Sequence, residues 1–263
     1  MTHFRKIILF CLANVAVWSA PYSLNSQSLD DIDKYSENEK EKMELEIMNK
    51  PLNGFFGIYF TNMVPQNEFM DNIKSTGQGF SLYGGYHFDP APMALGFQAD
   101  IIFNEADERT FSDFYYGDPG DEYDYYDEDT LSTQSMIFPV SVFYRMQPEV
   151  FNFIAPYFDI YGGMNLFLYT VGYDQDDEYP EPDDHFTVAW NWGLGAGALI
   201  KLGDFFQYPD SRTAIYADIR MRYMRGGTAS YFTGRIDGLT VVLREYKSNT
   251  NMILFHIGFH FRF

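Results

Sequence analysis

The residues that could do chemistry recur at every second position. His256, His260 and Arg262 share one parity of the final segment, and Asp218, Arg220 and Arg222 share one parity of the alternating segment before it. Asp100, Asp159 and Tyr59 hold the equivalent parity in three others. Read as a site, this mixture of carboxylates, imidazoles and guanidinium groups would handle protons. A lipid- or peptide-cleaving centre would also need a nucleophile, a histidine and an orienting acid near one rim. His185 stands near a rim but among acids, with no nucleophile at a telling spacing, and His260 and Arg262 lie where the chain stops. The same residues fit a plainer role better. Charges of both signs enclosed in a narrow space pair with one another, because an unpaired buried charge is costly.

A second group is acidic. Asp121, Asp124, Asp127 and Asp129 offer hard oxygen ligands of the kind calcium takes, but without EF-hand spacing. A solvated, self-repelling loop accounts for them better. Tyr115, Tyr116, Tyr123, Tyr125 and Tyr126 lie among them, and tyrosine offers contact area at low entropic cost, so a protein- or glycan-contacting surface is the sharper alternative. The single cysteine, Cys11, falls in the first apolar stretch, so nothing after it supplies a thiolate. No cofactor is expected.

The elements that must position these residues are strands. In 251–263, Phe255, Ile257, Phe259, Phe261 and Phe263 occupy one parity, while His256, Gly258, His260 and Arg262 occupy the other. On a strand these are opposite faces. The same division recurs in 55–62, 79–88, 94–104, 135–145, 156–170, 187–201 and 213–225, giving eight segments. Each is about as long as the ~9–11 residues a tilted membrane strand needs, or longer. The second parity is crowded with glycine, tyrosine and isolated charges, as the interior of a small barrel must be. A soluble, lipocalin-like barrel with the apolar parity inward is the competing fold.

The connections favour the membrane reading. Short ones (89–92, 146–155, 202–212) alternate with long ones (62–78, 105–134, 171–186, 227–250). One end therefore carries all the elaborated loops, the asymmetry of outer-membrane barrels. Residues 104–131 hold eleven acids and one base, and 172–186 hold seven acids, whereas the apolar parity of the strands carries essentially no charge. The net charge of −19 excludes a phosphate-reading groove spread over the domain, so no nucleic-acid partner is expected.

Before the strands stand two other pieces. Arg5 and Lys6 precede an apolar run and then small residues, the pattern of an export signal, assigned to 1–26 with cleavage between 19 and 27. Residues 27–52 are a charged leader that would lie in the periplasm. Ser36 followed by Glu39 is a capping-box pattern and predicts a helix over about 37–49. The barrel domain is 53–263.

At this level the chain resembles the small bacterial outer-membrane β-barrel domain of the OmpA/OmpX-like type. The likeness rests on the strand ending in Phe263, on Ile137-Phe-Pro-Val-Ser-Val-Phe-Tyr144, on Pro156-Tyr-Phe-Asp-Ile-Tyr-Gly-Gly163 and on Gly193-Leu-Gly-Ala-Gly197. It implies an all-β fold, an eight-stranded antiparallel up-and-down transmembrane barrel with a short N-terminal helical leader and no peptidoglycan-binding domain. It further implies that Phe255, Ile257, Phe259, Phe261 and Phe263 form the signal read by the barrel-assembly machinery, and that the partners are outer-membrane lipid and lipopolysaccharide. Pro139 inside a strand departs from plain strand chemistry and predicts a bulge. The expected role is a structural or surface-interacting barrel with a sealed polar interior and acidic external loops. A narrow pore or secretion accessory, and a lipid-modifying enzyme, are the alternatives.

Overall fold

From Gly54 onward the alternation of apolar and small or polar residues leaves one periodicity able to satisfy both faces, and the chain becomes strands. In the computed structural model the described residues are 36–48, 50–73, 75–115, 125–148, 153–174, 183–207, 211–237 and 240–263. The export signal and the start of the leader lie outside them. Helix α1 (Glu37–Met48) matches the capping-box expectation to within a residue. The Glu39 carboxylate accepts from the Ser36 N–H at 2.9 Å and from the Ser36 hydroxyl at 2.8 Å. These bonds favour the charged form and lower the Glu39 pKa. Asp121 and Asp124 lie outside the described residues.

Among the described residues ten strands follow: β1 (Gly54–Pro65), β2 (Gly77–His87), β3 (Met93–Tyr115), β4 (Tyr125–Met146), β5 (Ile154–Asp174), β6 (Asp183–Gln207), β7 (Ser211–Gly226), β8 (Thr228–Asp237), β9 (Thr240–Asn249) and β10 (Met252–Arg262). A short helix, α2 (Glu68–Ile73), follows β1. Eight strands close into an antiparallel barrel in the order β1-β10-β7-β6-β5-β4-β3-β2. The seam joins the first and last strands, from Phe55 opposite Arg262 to Pro65 opposite Met252. Gly54 and Phe263 exchange both backbone hydrogen bonds at 3.0 Å.

Three details differ from the sequence expectation. The stretch 227–250, expected as a loop, forms the separate two-stranded hairpin β8–β9. The β3–β4 ladder runs on through the expected connection to Tyr115 opposite Tyr125, and the β5 pairing continues to Asp174. Backbone pairing of an antiparallel hairpin does not require apolar side chains, so the acidic composition concealed these extensions. Pro139 carries no bulge: the β3–β4 register is unchanged from Ala99–Val140 to Ile102–Ile137, and the shift falls between Phe103 and Glu105. Proline removes pairs from this ladder without inserting a residue. A second shift falls between Lys201 and Gly203.

The expected faces are the observed ones. Phe60, Phe80, Phe97, Val142, Ile160, Trp190, Ile219 and Ile257 point outward and are exposed, while Tyr59, Asp100, Asp159 and Arg220 point inward and are buried. Two glycines are required by close approach: a Cβ on Gly79 would sit 1.8 Å from the Ile101 carbonyl oxygen, and one on Gly258 would sit 2.0 Å from that of Ile58.

A lysine in place of Ile257, which is 59% exposed on the outer face, should cost about 2–4 kcal/mol if it lies at mid-membrane depth. Urea unfolding of the purified chain in lipid vesicles measures the loss. Lysine at inward-facing Gly258 should abolish folding instead, because the strand approach leaves no room for a side chain.

Candidate functional site

Inward-facing side chains from seven of the eight barrel strands meet in the enclosed space, and the strand parity decides which. Tyr59 comes from β1, Ser81 and Tyr83 from β2, Gln98 and Asp100 from β3, and Ser141 and Arg145 from β4. Tyr157, Asp159 and Tyr161 come from β5, Asp218, Arg220 and Arg222 from β7, and His256 and His260 from β10. Strand β6 contributes glycines where the others contribute bulk. A Cβ on Gly197 would lie 2.5 Å from the Tyr157 ring, and one on Gly57 of β1 would lie 1.9 Å from that of Tyr83. Removing those side chains is what lets two tyrosines lie across the interior.

The charges group around three buried carboxylates. Asp159 takes a bidentate pair from Arg145, Nε at 2.8 Å and Nη2 at 3.0 Å, and a longer contact from Arg220 Nη1 at 3.4 Å. Asp100 accepts from Arg222 Nη1 at 3.1 Å, from Gln98 Nε2 at 2.7 Å and from the Ser81 hydroxyl, and His256 Nε2 stands 3.2 Å away. Thr61 and Ser81 hydroxyls are in contact. Arg222 also donates to Ser141 at 2.9 Å, and Arg220 donates to the Gln98 carbonyl at 2.7 Å.

Asp218 is held differently. It accepts hydrogen bonds from three phenols: Tyr59, Tyr83 at 3.0 Å and Tyr157 at 2.6 Å. One phenol carries one proton, so with Tyr83 donating to Asp218, the Tyr83–His260 contact is a donation from His260 Nδ1. The same aromatic rings face the cations. Arg145 lies 3.7 Å from the Tyr157 ring centroid, Arg222 4.1 Å from that of Tyr161 and Arg220 4.6 Å from that of Tyr59. Three carboxylates and three guanidinium groups thus share one enclosed volume with their charges balanced.

Of the residues singled out in the sequence, Tyr59, Asp100, Asp159, Asp218, Arg220, Arg222, His256 and His260 meet in this arrangement. Arg262 is at the chain's end, 5.7 Å from the Tyr216 ring centroid. His185 is on β6 opposite Tyr169, away from the central charges. Sequence reasoning passed over Arg145, Tyr83, Tyr157, Tyr161, Gln98 and Ser81. Their parity was already legible, and ranking by formal charge concealed the phenols that hold Asp218. Phe255, Ile257, Phe259 and Phe263 are exposed on the outer face, and Phe261 is half-buried there. Asp127 and Asp129 lie on β4 opposite Asp113 and Phe111. Among the described residues no group of three or more histidines, cysteines or acids is placed to hold a metal.

The polar network occupies only part of the barrel's length. The loop-side half is apolar: Met63, Ile102, Ile137, Phe167, Ala189, Met224, Met252 and Leu254 face inward and are buried. Phe69 and Ile73 of α2 and Tyr231 of β8 complete this layer, with Phe69 centred 5.4 Å from the Tyr231 ring and 6.0 Å from that of Phe167. Parity tells which residues turn inward. It does not tell how far along the barrel polarity changes.

Replacing Arg222 by leucine leaves Asp100 buried without its guanidinium partner and should cost about 3–5 kcal/mol. The double replacement Asp100→Leu with Arg222→Leu should cost clearly less than the sum of the two single changes. Equilibrium unfolding of all four proteins gives the coupling. A sum that is simply additive means the pair does not interact.

No family model matches the chain, and no curated protein matches it. Among solved structures the fold is similar to Neisserial surface protein A, at 12% identity and a TM-score of 0.36, over 80% of this chain and 95% of that one. It is similar to the outer membrane protein OprG from Pseudomonas aeruginosa, at 11% identity and a TM-score of 0.38, over 81% and 97%. It is also similar to a major outer membrane protein from Thermus thermophilus, at 13% identity and a TM-score of 0.34, over 80% and 99%. By its own strand order and its exposed apolar belt, the molecule is an eight-stranded antiparallel β-barrel of the outer-membrane type.

Proposed function

We propose that this chain is an integral outer-membrane barrel that serves as a sealed, non-enzymatic scaffold presenting its loop end to the surroundings. The observation that carries this reading is the interior. Asp100, Asp159 and Asp218 are each bonded to partners inside the barrel, and Arg145, Arg220 and Arg222 share them. Groups so engaged are not poised to attack a substrate. An ion entering the apolar layer above them meets a heavy desolvation cost, which supports a sealed interior.

In this reading residues 1–26 direct export and are removed, and 27–52 remain on the periplasmic side. The alternating residues Phe255, Ile257, Phe259, Phe261 and Phe263 present the strand recognised by the assembly machinery. The outer face then meets hydrocarbon, and aromatic residues near its ends, Trp190 and Trp192 at one and Tyr86 and Phe88 at the other, meet the two interfaces. Lipopolysaccharide surrounds the loop-side rim. The acidic stretches 104–131 and 172–186 belong to that end and are the surface offered to a protein or glycan partner.

Planar-bilayer recording of the purified, refolded chain tests the sealed scaffold. The expected record is a flat baseline, with no discrete steps at moderate voltage. Regular single-channel steps would establish a pore instead. Mass spectrometry of lipid A from cells with and without the protein should give identical spectra, and a new modified species would make it an enzyme.

A further inference from the structure

Above the charged layer, three buried asparagines interrupt the apolar wall. Asn165 and Asn191 share one hydrogen bond, from Asn191 Nδ2 to Asn165 Oδ1 at 2.5 Å, which leaves Asn165 Nδ2 and Asn191 Oδ1 without partners. Asn104 is buried with neither its Nδ2 nor its Oδ1 side-chain atom bonded. Unpaired amide groups inside an apolar lining are costly, and such groups ordinarily find a partner. Asn165 is two residues below Phe167 on the same face of β5, and Asn191 is two residues from Ala189 on the same face of β6. Both amides thus adjoin the layer into which α2 inserts Phe69.

That insertion is lightly held. Helix α2 has six residues, too few to be stable by itself. It follows Asn67, whose φ is 55°, a conformation asparagine tolerates better than most residues. Besides the Phe69–Tyr231 ring contact, its polar attachment to the hairpin runs through Asn72, whose Nδ2 donates to the Tyr231 hydroxyl at 2.6 Å. Phe69 is fully buried while its neighbour Met70 is exposed. One phenyl ring of the chain's own therefore fills the apolar layer above the engaged charges, a layer that also holds buried amides able to donate and accept.

We propose that the loop end of the barrel is a dead-end binding chamber for a small neutral amphiphile, with an aromatic or alkyl body taking the place of Phe69 and an amide or hydroxyl head bonded to Asn165, Asn191 and Asn104. An apolar pocket with a few convergent polar groups is the usual form of a small-molecule site. The head is neutral because the charges of the layer below are already joined, Asp100 with Arg222 at 3.1 Å and Asp159 with Arg145 at 2.8 Å. Binding displaces α2 and leaves the charged floor unbroken, so the site retains its ligand and does not pass it through. The chamber extends the scaffold reading, and its test is separate from the conductance measurement.

The experiment uses the full barrel chain in lipid nanodiscs, with 4-fluorobenzamide as probe observed by fluorine NMR and empty nanodiscs as reference for partitioning into lipid. The wild-type protein should bind the probe saturably, and at least ~10-fold more tightly than fluorobenzene, the difference one or two hydrogen bonds make. Phe69→Ala, which removes the competing ring, should tighten binding by at least ~10-fold. The pair Asn165→Leu with Asn191→Leu should weaken 4-fluorobenzamide at least ~10-fold and leave fluorobenzene unchanged. Saturable binding to Phe69→Ala alone would overturn the proposal, since the site would then be a cavity made by mutation. No saturable binding to either protein would overturn it as well. If the asparagine variant does not fold, the preference of the wild type decides, and equal affinity for the two probes contradicts the polar head site.

Discussion

A backbone crossing hydrocarbon has no water to satisfy its N–H and C=O groups, and only a sheet closed on itself removes every edge. The pairing of β1 with β10 is that closure. It brings the ends of the barrel domain together, fixes both at the short-turn side, and leaves each strand with two neighbours over the membrane-spanning part. The rest follows from the small circumference that eight strands allow. The interior is too narrow for bulk water, so side chains must fill it, and charges placed there must find partners among themselves.

The partnering takes two forms. Asp100 and Asp159 are neutralised by guanidinium groups at hydrogen-bonding distance. Asp218 is solvated by three phenols in place of a cation, while Arg145 and Arg220 stack on tyrosine rings nearby. Small residues make this possible, since Gly57 and Gly197 yield the volume that Tyr83 and Tyr157 occupy. The result is a rigid floor across the barrel. The apolar layer with α2 lies above it, and within it Asn104, Asn165 and Asn191 keep buried amide atoms without partners.

Much of this was legible in the residues. Strict alternation over eight segments showed the strands and their faces, because the period of a strand is two and one face had to be apolar throughout. The inward parity placed Asp100, Asp159, Asp218, Arg220, Arg222, His256 and His260 in a common interior. Three things were hidden. Tyr83, Tyr157 and Arg145 have the right parity, but a phenol as a partner for a carboxylate is apparent only when strands that are not neighbours, two places apart for Tyr157 and five for Tyr83, bring their side chains to Asp218 across the interior. The long β3–β4 ladder was hidden because backbone pairing leaves little trace in acidic sequence, and the hairpin β8–β9 because its β-branched and aromatic residues lie in a stretch read only as the connection between two barrel segments. The change from polar to apolar filling depends on the stagger between strands, which single-strand patterns do not encode.

The account depends most on which way the apolar parity points, and Trp190 and Trp192 on β6 report it directly. They are the only tryptophans after residue 18, and both are on the outer face, 75% and 57% exposed. With residues 53–263 folded into vesicles containing brominated lipids, their fluorescence should be strongly quenched, while aqueous iodide should have little effect. Emission quenched by iodide and indifferent to brominated chains would place the apolar face away from lipid and contradict the account.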